Sequence, residues 1–380
     1  MDTLDEFRLH QSLLGRPGSR AELNTPSLVI DRDALDRNIR KMADLARAHG
    51  VSLRPHAKTH KSVDIAKRQI AAGAVGMCCA KLGEAEALAA GGIDSILITS
   101  PIVSAPAIAR LNALNERIGD LAVVVDNVAN VVALATSMSR PLHVLIDIDS
   151  GTRRTGVSSA AAALQLLKSI SEHSKLRYRG VQMYCGRQQH IANYDERANA
   201  IRERMQYLQP ILAELTAHGG APEVITGVGT GTHFIDASLG VYTEWQVGSY
   251  VFMDRQYIDC DLANQGGSPY EYSLFVDTRV VSANVPGMAT IDAGYKAFAT
   301  DGGLPVVVAG APQGSVYHFM GDEHGMIVDP ESKKIWNLAD SVRLAAPHCD
   351  PTVNLYDAYH VVTGDTLVEI WSVTARGRSR

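Results

Sequence analysis

Residues 51–261 alternate between short apolar runs and longer segments in which apolar residues recur at helical spacing. The apolar runs are typical of buried strands, and most of the intervening segments are rich in Ala and Leu and begin with Ser, Asp or Asn. The predicted strands are SLRPHAK, GMCCA, SILITS, LAVVVD, PLHVLIDIDS, RGVQMYCG, EVITGVG and WQVGSYVFMD. Eight strand–helix repeats predict an α/β fold of the (β/α)8 barrel type.

The rest of the chain predicts a second, mainly β domain. Residues 262–380 contain β-branched runs bounded by Gly, Pro and Asn, with little helical spacing. The strand-like run SLVID at 27–31 is one strand more than a barrel of eight needs. We therefore predict an N-terminal segment over 1–50 (helix, strand, helix) that joins the β-domain, a barrel over 51–261 and the β-domain over 262–380.

Composition narrows the choice of partner. The 380 residues carry a net charge of −5 with acids and bases interspersed, so no basic face for nucleic acid is expected. No apolar run approaches the roughly twenty residues that cross a bilayer, so we expect no membrane association. The five cysteines lack the spacing of a disulfide framework or a zinc site, which favours a reducing cytoplasm. The expected partner is a small molecule.

The stretch RPHAKTHKS, residues 54–62, gathers five basic side chains directly after the strand-like VSL and overlaps the end of the first predicted strand. In an extended strand Arg54, His56 and Lys58 share one face, and barrel active sites lie where the strands end. A partly desolvated lysine beside other cations has a lowered pKa and becomes a nucleophilic amine. The stretch therefore predicts a Schiff-base lysine at Lys58 rather than at Lys61, with a solvated basic loop as the alternative.

A Schiff-base lysine acts directly on a carbonyl substrate or with pyridoxal phosphate, and the second case needs a phosphate site. Barrels commonly bind phosphate after strands seven and eight, where this chain has GVGTGTH and VGSY. Their backbone N–H groups and hydroxyls suit an anion, although a Gly/Thr loop is also an ordinary turn. The candidate phosphate residues are Gly229, Thr230, Gly231, Thr232, Ser249 and Tyr250.

Further polar side chains are predicted at the barrel mouth. Arg154, after strand five, can reach a cofactor ring or a substrate carboxylate, or lie on the surface. Gln182 and Tyr184 share a face of strand six, where barrel packing is the alternative role. His190 and His233 can also line the mouth.

The β-domain contains PHCDPTVNLYD at 347–357. If this piece is extended, His348 and Asp350 project together while Cys349 points away. An imidazole beside a carboxylate suits Mn²⁺ or Mg²⁺ completed by waters, whereas a Cys349 ligand would favour Zn²⁺. Two ligands alone do not define a metal site.

Together these motifs resemble the alanine racemase-like, fold-type III pyridoxal phosphate enzymes, specifically the D-threonine aldolase and D-serine dehydratase group. The resemblance rests on RPHAKTHKS, GVQMYCG, GTGTH and PHCDPTVN and covers nearly the whole chain. It implies pyridoxal phosphate on Lys58, with His56 beside it, and a divalent metal bound by a His and a second ligand two residues on. It also implies a homodimer with the active site near the subunit interface.

The resemblance implies a reaction as well. In the dehydratases of this group the metal pair resembles His-x-Cys, whereas the aldolases have His-x-Asp, which His348 and Asp350 match. The implied activity is metal-dependent retro-aldol cleavage of D-threonine and related D-β-hydroxy-α-amino acids to glycine and an aldehyde, with Mn²⁺ preferred over Mg²⁺, Co²⁺ or Zn²⁺. A D-serine dehydratase, an amino-acid racemase and a non-catalytic cofactor-binding barrel are the alternatives.

Overall fold

The structure, a computed structural model, describes residues 4–380, so the first three residues of the predicted N-terminal segment lie outside it. The described chain begins with α1 (Leu4–His10), β1 (Ser27–Asp31) and α2 (Arg32–Ala48). The barrel strands are β2 (Ser52–Leu53), β3 (Met77–Cys79), β4 (Ser95–Ile98), β5 (Asp120–Val125), β6 (Leu142–Asp147), β7 (Leu176–Met183), β8 (Val224–Gly227) and β9 (Glu244–Trp245). The helices between and after them are α3 (Val63–Ala71), α4 (Leu82–Ala90), α5 (Ala105–Arg117), α6 (Val128–Ser137), α7 (Ala160–Ser171), α8 (Tyr194–Ala217), α9 (His233–Leu239) and α10 (Arg255–Ile258).

These eight strands form one parallel sheet in the order β2-β9-β8-β7-β6-β5-β4-β3. The two ends of the sheet meet through a parallel bridge between His56 and Cys78, and the Cys78 N–H donates to the Pro55 carbonyl over 2.8 Å. The sheet is therefore closed into a barrel. The strands and the surrounding helices bury a large apolar core, and a second, separate apolar cluster is formed by the strand residues Cys78, Leu97, Ala122, Val124 and Leu145.

The second domain is built mainly from strands, as predicted. Its elements are β10 (Leu274–Val285), β11 (Met288–Ile291), β12 (Val306–Ala309), β13 (Val316–Phe319), β14 (Gly325–Val328), β15 (Ser341–Ala345), α11 (Cys349–Val353), β16 (Ala358–Thr363) and β17 (Thr366–Ser372). The main path of this sheet is β13-β14-β11-β10-β1-β16-β17; β15 joins it by pairing with β10, and β12 pairs with the other edge of β15. The extra strand β1 thus lies in this sheet, antiparallel to β10 and parallel to β16. The predicted fold, a (β/α)8 barrel with a mainly β domain, is confirmed.

The first barrel strand is much shorter than the predicted run SLRPHAK. It ends at Leu53, and Ala57–Thr59 form a 3-10 helix. Lys58 therefore lies on a helical turn beyond the strand, and the prediction that it follows Arg54 and His56 along one extended face is wrong. The proline at position 55 has no N–H to donate to a neighbouring strand, which favours an early end to regular pairing.

The 54–62 segment is also where the two domains meet. Lys58 pairs with Asp350 of α11, and the Tyr359 hydroxyl on β16 donates to the His60 carbonyl over 2.5 Å. The Ala375 N–H, near the carboxyl end of the chain, donates to the Lys61 carbonyl over 2.9 Å. The contacts therefore fix this segment against the β-domain.

A buried pair of histidines, His10 at the end of α1 and His360 on β16, connects the N-terminal segment to the β-domain. His360 Nε2 lies 2.8 Å from His10 Nδ1, and His360 Nδ1 lies 3.3 Å from the Leu28 carbonyl. His10 Nε2 accepts the Asn24 N–H over 3.0 Å. This chain of bonds is complete when both rings are neutral and each donates from Nδ1. Burial lowers the pKa of His360 to about 4.

Replacing His360 with Gln should make the unfolding free energy depend less on pH between pH 7 and pH 4. A histidine whose pKa is lower in the folded than in the unfolded state adds stability above its unfolded pKa, and this is lost as the pH falls toward the folded value. Between pH 7 and pH 4 the wild type should lose about 3 kcal/mol more unfolding free energy than the variant. Urea unfolding at several pH values measures this difference. The exposed His218→Gln variant is the control, and equal pH slopes for wild type and His360→Gln would contradict the assignment.

None of the helices described over residues 4–380 combines the length and hydropathy needed to cross a membrane.

Candidate active site

A cavity of about 880 Å³ opens among the loops that follow the barrel strands. Most of the predicted site residues lie in its wall: His56, Lys58, Arg154, Gln182, Tyr184, Gly229, Thr230, Ser249 and His348. The wall also contains His190. Asp350 lies directly behind it, since its Oδ1 is 2.5 Å from the Lys58 ammonium. The fold therefore brings the candidate lysine, the glycine-rich loop and the predicted metal motif together.

The Lys58 side chain is 39% accessible and pairs with Asp350, a residue 292 positions along the chain. Burial by itself lowers the pKa of Lys58, but the Asp350 carboxylate outweighs it and the net shift is upward. The predicted lowering of the lysine pKa is therefore wrong for this arrangement. The sequence places only cations near Lys58, while the charge that decides the sign comes from the other domain.

The metal motif is helical rather than extended. His348 caps α11, and Pro351 occupies its first turn, where the helix needs no N–H donor. His348 Nε2 nevertheless lies 3.8 Å from Asp350 Oδ2. Cys349 points into the core, where its Sγ donates to the Met253 carbonyl and burial raises the pKa of its thiol. The structure thus brings His348 and Asp350 together and turns Cys349 away from them.

This pair fits a divalent cation. Asp350 Oδ2 is buried and lacks a hydrogen-bond partner among the described residues. Burial would raise the pKa of Asp350, but Lys58 and His348 outweigh it and hold the value at about 2, so the group is a carboxylate. Over residues 4–380 no cluster of three or more His, Cys, Asp or Glu side chains has metal-binding geometry. Any ion here would take two protein ligands and complete its shell with water or substrate.

One corner of the cavity fits a phosphate. We call Thr59, Gly229, Thr230, Gly248 and Ser249 the anion cradle; all five line the wall. The Thr59 hydroxyl is buried without a hydrogen-bond partner in the described chain. A Cβ on Gly248 would lie 2.7 Å from this hydroxyl, so the glycine keeps the corner open for a ligand.

Three predicted phosphate residues support the cradle from behind. The Gly231 N–H donates to Gln189 Oε1 over 2.9 Å, and Gln189 Nε2 donates to the Thr232 hydroxyl over 3.1 Å. A Cβ on Gly231 would lie 1.9 Å from the Gln189 carbonyl oxygen, which excludes any other residue without a shift of the backbone. The Tyr250 N–H donates to the Thr230 hydroxyl over 3.0 Å, and its phenol bonds Gln69 in the core. Gly231, Thr232 and Tyr250 therefore do not line the cavity.

His233 belongs to this support as well, and not to the cavity wall where it was expected. The ring is buried, with Nδ1 2.7 Å from the Thr230 carbonyl and Nε2 2.9 Å from the Tyr270 hydroxyl. Burial lowers the pKa of His233 to about 4, so the ring is neutral at pH 7.

The floor of the cavity is a buried polar network. Gln182 donates to Asp147 Oδ1 over 2.9 Å and accepts from Gln246 over 3.0 Å. Burial raises the pKa of Asp147 to about 6. This network accounts for a glutamine at position 182, which is unusual for barrel packing. His56 also lies here, with its Nε2 3.1 Å from the Thr99 hydroxyl. Burial lowers the pKa of His56 to about 3.

The rim of the cavity is cationic. Arg154 is exposed, with its guanidinium 5.9 Å from the centre of the Tyr184 ring. Lys81 and Arg187 add two further cations to the cavity wall, which His190 and Asp126 also line without adding positive charge. The pKa of His190 is lowered mainly by burial and, to a smaller extent, by the nearby His348. A rim of this charge suits a substrate that carries a carboxylate.

Several residues of the site were not predicted from the sequence. Thr59 is adjacent to Lys58 in the basic motif, so its position gave a usable signal. Gln246 lies on the predicted eighth strand but carries no motif of its own. Asp301, whose Oδ2 lies 2.7 Å from His348 Nδ1, is 47 residues from that histidine and gave no local signal.

Comparison with known proteins first defines the class. Residues 30–256 match the alanine racemase N-terminal domain, and residues 273–362 match a serine dehydratase domain. The crystal structure of D-threonine aldolase from Filomicrobium marinum superposes with a TM-score of 0.90 at 36% identity, covering 94% of this chain and 97% of that one. The fold is therefore that of an alanine racemase-like barrel enzyme.

Curated relatives narrow this class. A 3-hydroxy-D-aspartate aldolase of Paracoccus denitrificans (strain Pd 1222) is 37% identical over 370 residues, 95% of each chain. A D-threonine aldolase of Arthrobacter sp. is 38% identical over 365 residues, 95% of this chain and 94% of the relative. A D-threo-3-hydroxyaspartate dehydratase of Delftia sp. (strain HT23) is 31% identical over 376 residues, 92% and 97% of the two chains. This chain belongs to the D-threonine aldolase and D-serine dehydratase group of the alanine racemase-like family, and the predicted class of enzyme, a lyase, is confirmed.

The unpartnered Thr59 hydroxyl predicts opposite effects on stability and on cofactor binding. Thr59→Val removes a buried polar atom without a partner, so the ligand-free protein should gain about 1 kcal/mol of unfolding free energy. If the hydroxyl donates to a phosphate, the affinity for pyridoxal phosphate should fall roughly 10- to 100-fold, since such a bond is worth about 1.5–3 kcal/mol.

Thermal unfolding and absorbance titration with pyridoxal phosphate measure the two effects. Ser62→Ala is the matched control, because the Ser62 hydroxyl is equally buried and unpartnered but lies outside the cavity wall. It should stabilise the protein and leave the titration unchanged. Unchanged cofactor affinity in Thr59→Val would show that the hydroxyl does not bind the phosphate.

Proposed function

We propose that this protein cleaves D-threonine and related D-β-hydroxy-α-amino acids to glycine and an aldehyde, using pyridoxal phosphate and a divalent metal ion. One observation carries the proposal: His348 Nε2 and the unpartnered Asp350 Oδ2 lie 3.8 Å apart, and the other oxygen of Asp350 contacts Lys58. A metal pair and a candidate cofactor lysine therefore share one carboxylate. The aldolases among its relatives support the same reaction type.

Pyridoxal phosphate would be held by Lys58 and by the anion cradle, both of which line the cavity. The cofactor, when bound, supplies an electron sink for the charge left on the substrate Cα. Lys58 must give up its proton to form the covalent link, and the upward shift of its pKa means that it is an ammonium without the cofactor. The Asp350 carboxylate is the group placed to stabilise that charge.

The divalent ion would be held by His348 Nε2 and Asp350 Oδ2, and one imidazole and one carboxylate completed by waters favour Mn²⁺. Such an ion acts as a Lewis acid that lowers the pKa of a bound hydroxyl group. The imidazole of His190 lines the same cavity, and its lowered pKa keeps it neutral at pH 7, the form that can accept a proton. Arg154 at the rim is placed to bind the substrate carboxylate.

The alternatives fit the described residues less well. A dehydratase with a His-x-Cys metal pair would need a cysteine at position 350, and the available thiol of Cys349 is turned into the core. A racemase has no use for the metal pair. A non-catalytic cofactor-binding barrel would not need the β-domain, which contributes both His348 and Asp350.

Two further proposals rest on the resemblance and on composition. A homodimer should show twice the chain mass of 40.9 kDa in sedimentation equilibrium, and the monomer mass would refute it. A cytoplasmic location is supported by the five buried cysteines, all of them free thiols. Cell fractionation tests it, and recovery from an oxidising compartment would contradict it.

The rates of Asp350→Ala and Cys349→Ala distinguish a metal bound by His348 and Asp350 from a metal bound by His348 and Cys349. The variant that removes the true ligand should lose more activity. If Asp350 binds the ion, Asp350→Ala should lower the metal-dependent rate of aldehyde release from D-threonine by at least 100-fold, as expected for loss of a ligand at the reacting centre. Cys349→Ala should keep most of the rate and lose only folding stability, because Cys349 is a core residue.

Aldehyde release with added Mn²⁺ gives the rates, and circular dichroism checks that each variant is folded. Asp350→Asn is the conservative companion variant, since it keeps the size of the side chain. A folded Cys349→Ala with a larger loss of rate than Asp350→Ala would move the metal to a cysteine and disprove the proposed pair.

A further inference from the structure

We propose that Asp301 is a positioning residue for the metal site: it holds the His348 ring so that Nε2 faces Asp350, and it thereby sets the affinity for the divalent ion. This inference rests on the proposed function, because it takes His348 and Asp350 as the metal ligands. Asp301 lies outside every motif of the sequence and acts through His348, without touching the cavity.

The first observation is the geometry of the imidazole. Asp301 Oδ2 lies 2.7 Å from His348 Nδ1, and Asp350 Oδ2 lies 3.8 Å from His348 Nε2. A ring nitrogen at 2.7 Å from a carboxylate carries the proton and donates it. Nδ1 is therefore the donor to Asp301, and Nε2 is the ring nitrogen on the side where the unpartnered oxygen of Asp350 lies.

The second observation is that the loop carrying Asp301 is fastened to α11. The Ala299 N–H donates to the Thr352 hydroxyl over 3.1 Å, and that hydroxyl donates to the His348 carbonyl over 2.7 Å. On the other side of Asp301, a Cβ on Gly302 would lie 2.8 Å from the Pro347 carbonyl oxygen. Ala299 and Gly302, on either side of Asp301, thus both approach the residues around His348. The contacts between the 299–302 loop and the first turn of α11 therefore hold the Asp301 carboxylate beside His348.

A carboxylate on the far nitrogen of a metal-binding histidine fixes the tautomer and the ring angle and makes the ligating nitrogen more basic. Without Asp301 the His348 ring can place its proton on Nε2, which leaves that nitrogen without a lone pair for the metal, or rotate away from Asp350. The Asp301 side chain is 57% exposed, so water replaces part of the lost hydrogen bond. We therefore expect an effect near the lower end of the roughly 10- to 100-fold range known for such partners.

The test is Mn²⁺ binding to the metal-free, cofactor-loaded protein, followed by electron paramagnetic resonance of the free ion. Asp301→Ala should weaken Mn²⁺ binding by about tenfold, and Asp301→Glu should recover part of the loss because it keeps a carboxylate. Asp322→Ala is the matched control: it removes an exposed carboxylate from a turn of the same domain and should leave the affinity unchanged. The visible absorbance of bound pyridoxal phosphate should be the same in all variants.

A second readout needs no metal. Nitrogen-15 NMR of the His348 ring should show the proton on Nδ1 in the wild type and a mixture of tautomers in Asp301→Ala. Wild-type Mn²⁺ affinity in Asp301→Ala, or an unchanged tautomer, would overturn the positioning role while the proposed function stands. Wild-type affinity in His348→Ala would instead show that the ion binds elsewhere, and the proposed metal pair would fail together with this inference.

Discussion

The structure of the site depends on one ion pair that crosses the domain boundary, between Lys58 of the barrel and Asp350 of the β-domain. Asp254, which follows the last barrel strand, adds a second link, because its buried carboxylate accepts the Cys349 N–H over 2.9 Å. The Tyr359 hydroxyl and the His60 carbonyl form a third. Neither domain alone contains the candidate site, so the relative position of the domains is part of the chemistry.

The polar atoms at this boundary are incompletely satisfied. Thr59 Oγ1 and Asp350 Oδ2 are both buried without partners in the described chain, and a buried polar atom of this kind costs about 1–3 kcal/mol. A phosphate and a divalent ion would supply the missing partners. Because such ligands bind the folded chain only, they should also stabilise the protein, with an unfolding free energy that rises with the logarithm of their concentration above Kd. The anion cradle and the metal pair are thus places where local stability is lower so that ligands can bind.

The sequence was sufficient for features that depend on local pattern. Alternating strand and helix segments predicted the barrel, and the basic motif beside a strand end predicted Lys58 in the cavity wall. The sign of the Lys58 pKa shift could not be predicted, because it depends on Asp350, 292 residues away. The supporting role of Gly231 depends on its contact with Gln189 and the role of Asp301 on its contact with His348, and neither contact has a local sequence signal.

Product analysis tests the central claim most directly. D-Threonine would be supplied to the cofactor-loaded protein after removal of metal, and again after Mn²⁺ is restored. We expect glycine and acetaldehyde in equal amounts, and only when the metal is present. Ammonia and 2-oxobutanoate would show a dehydratase instead, and glycine formed at the same rate without metal would contradict the role of His348 and Asp350.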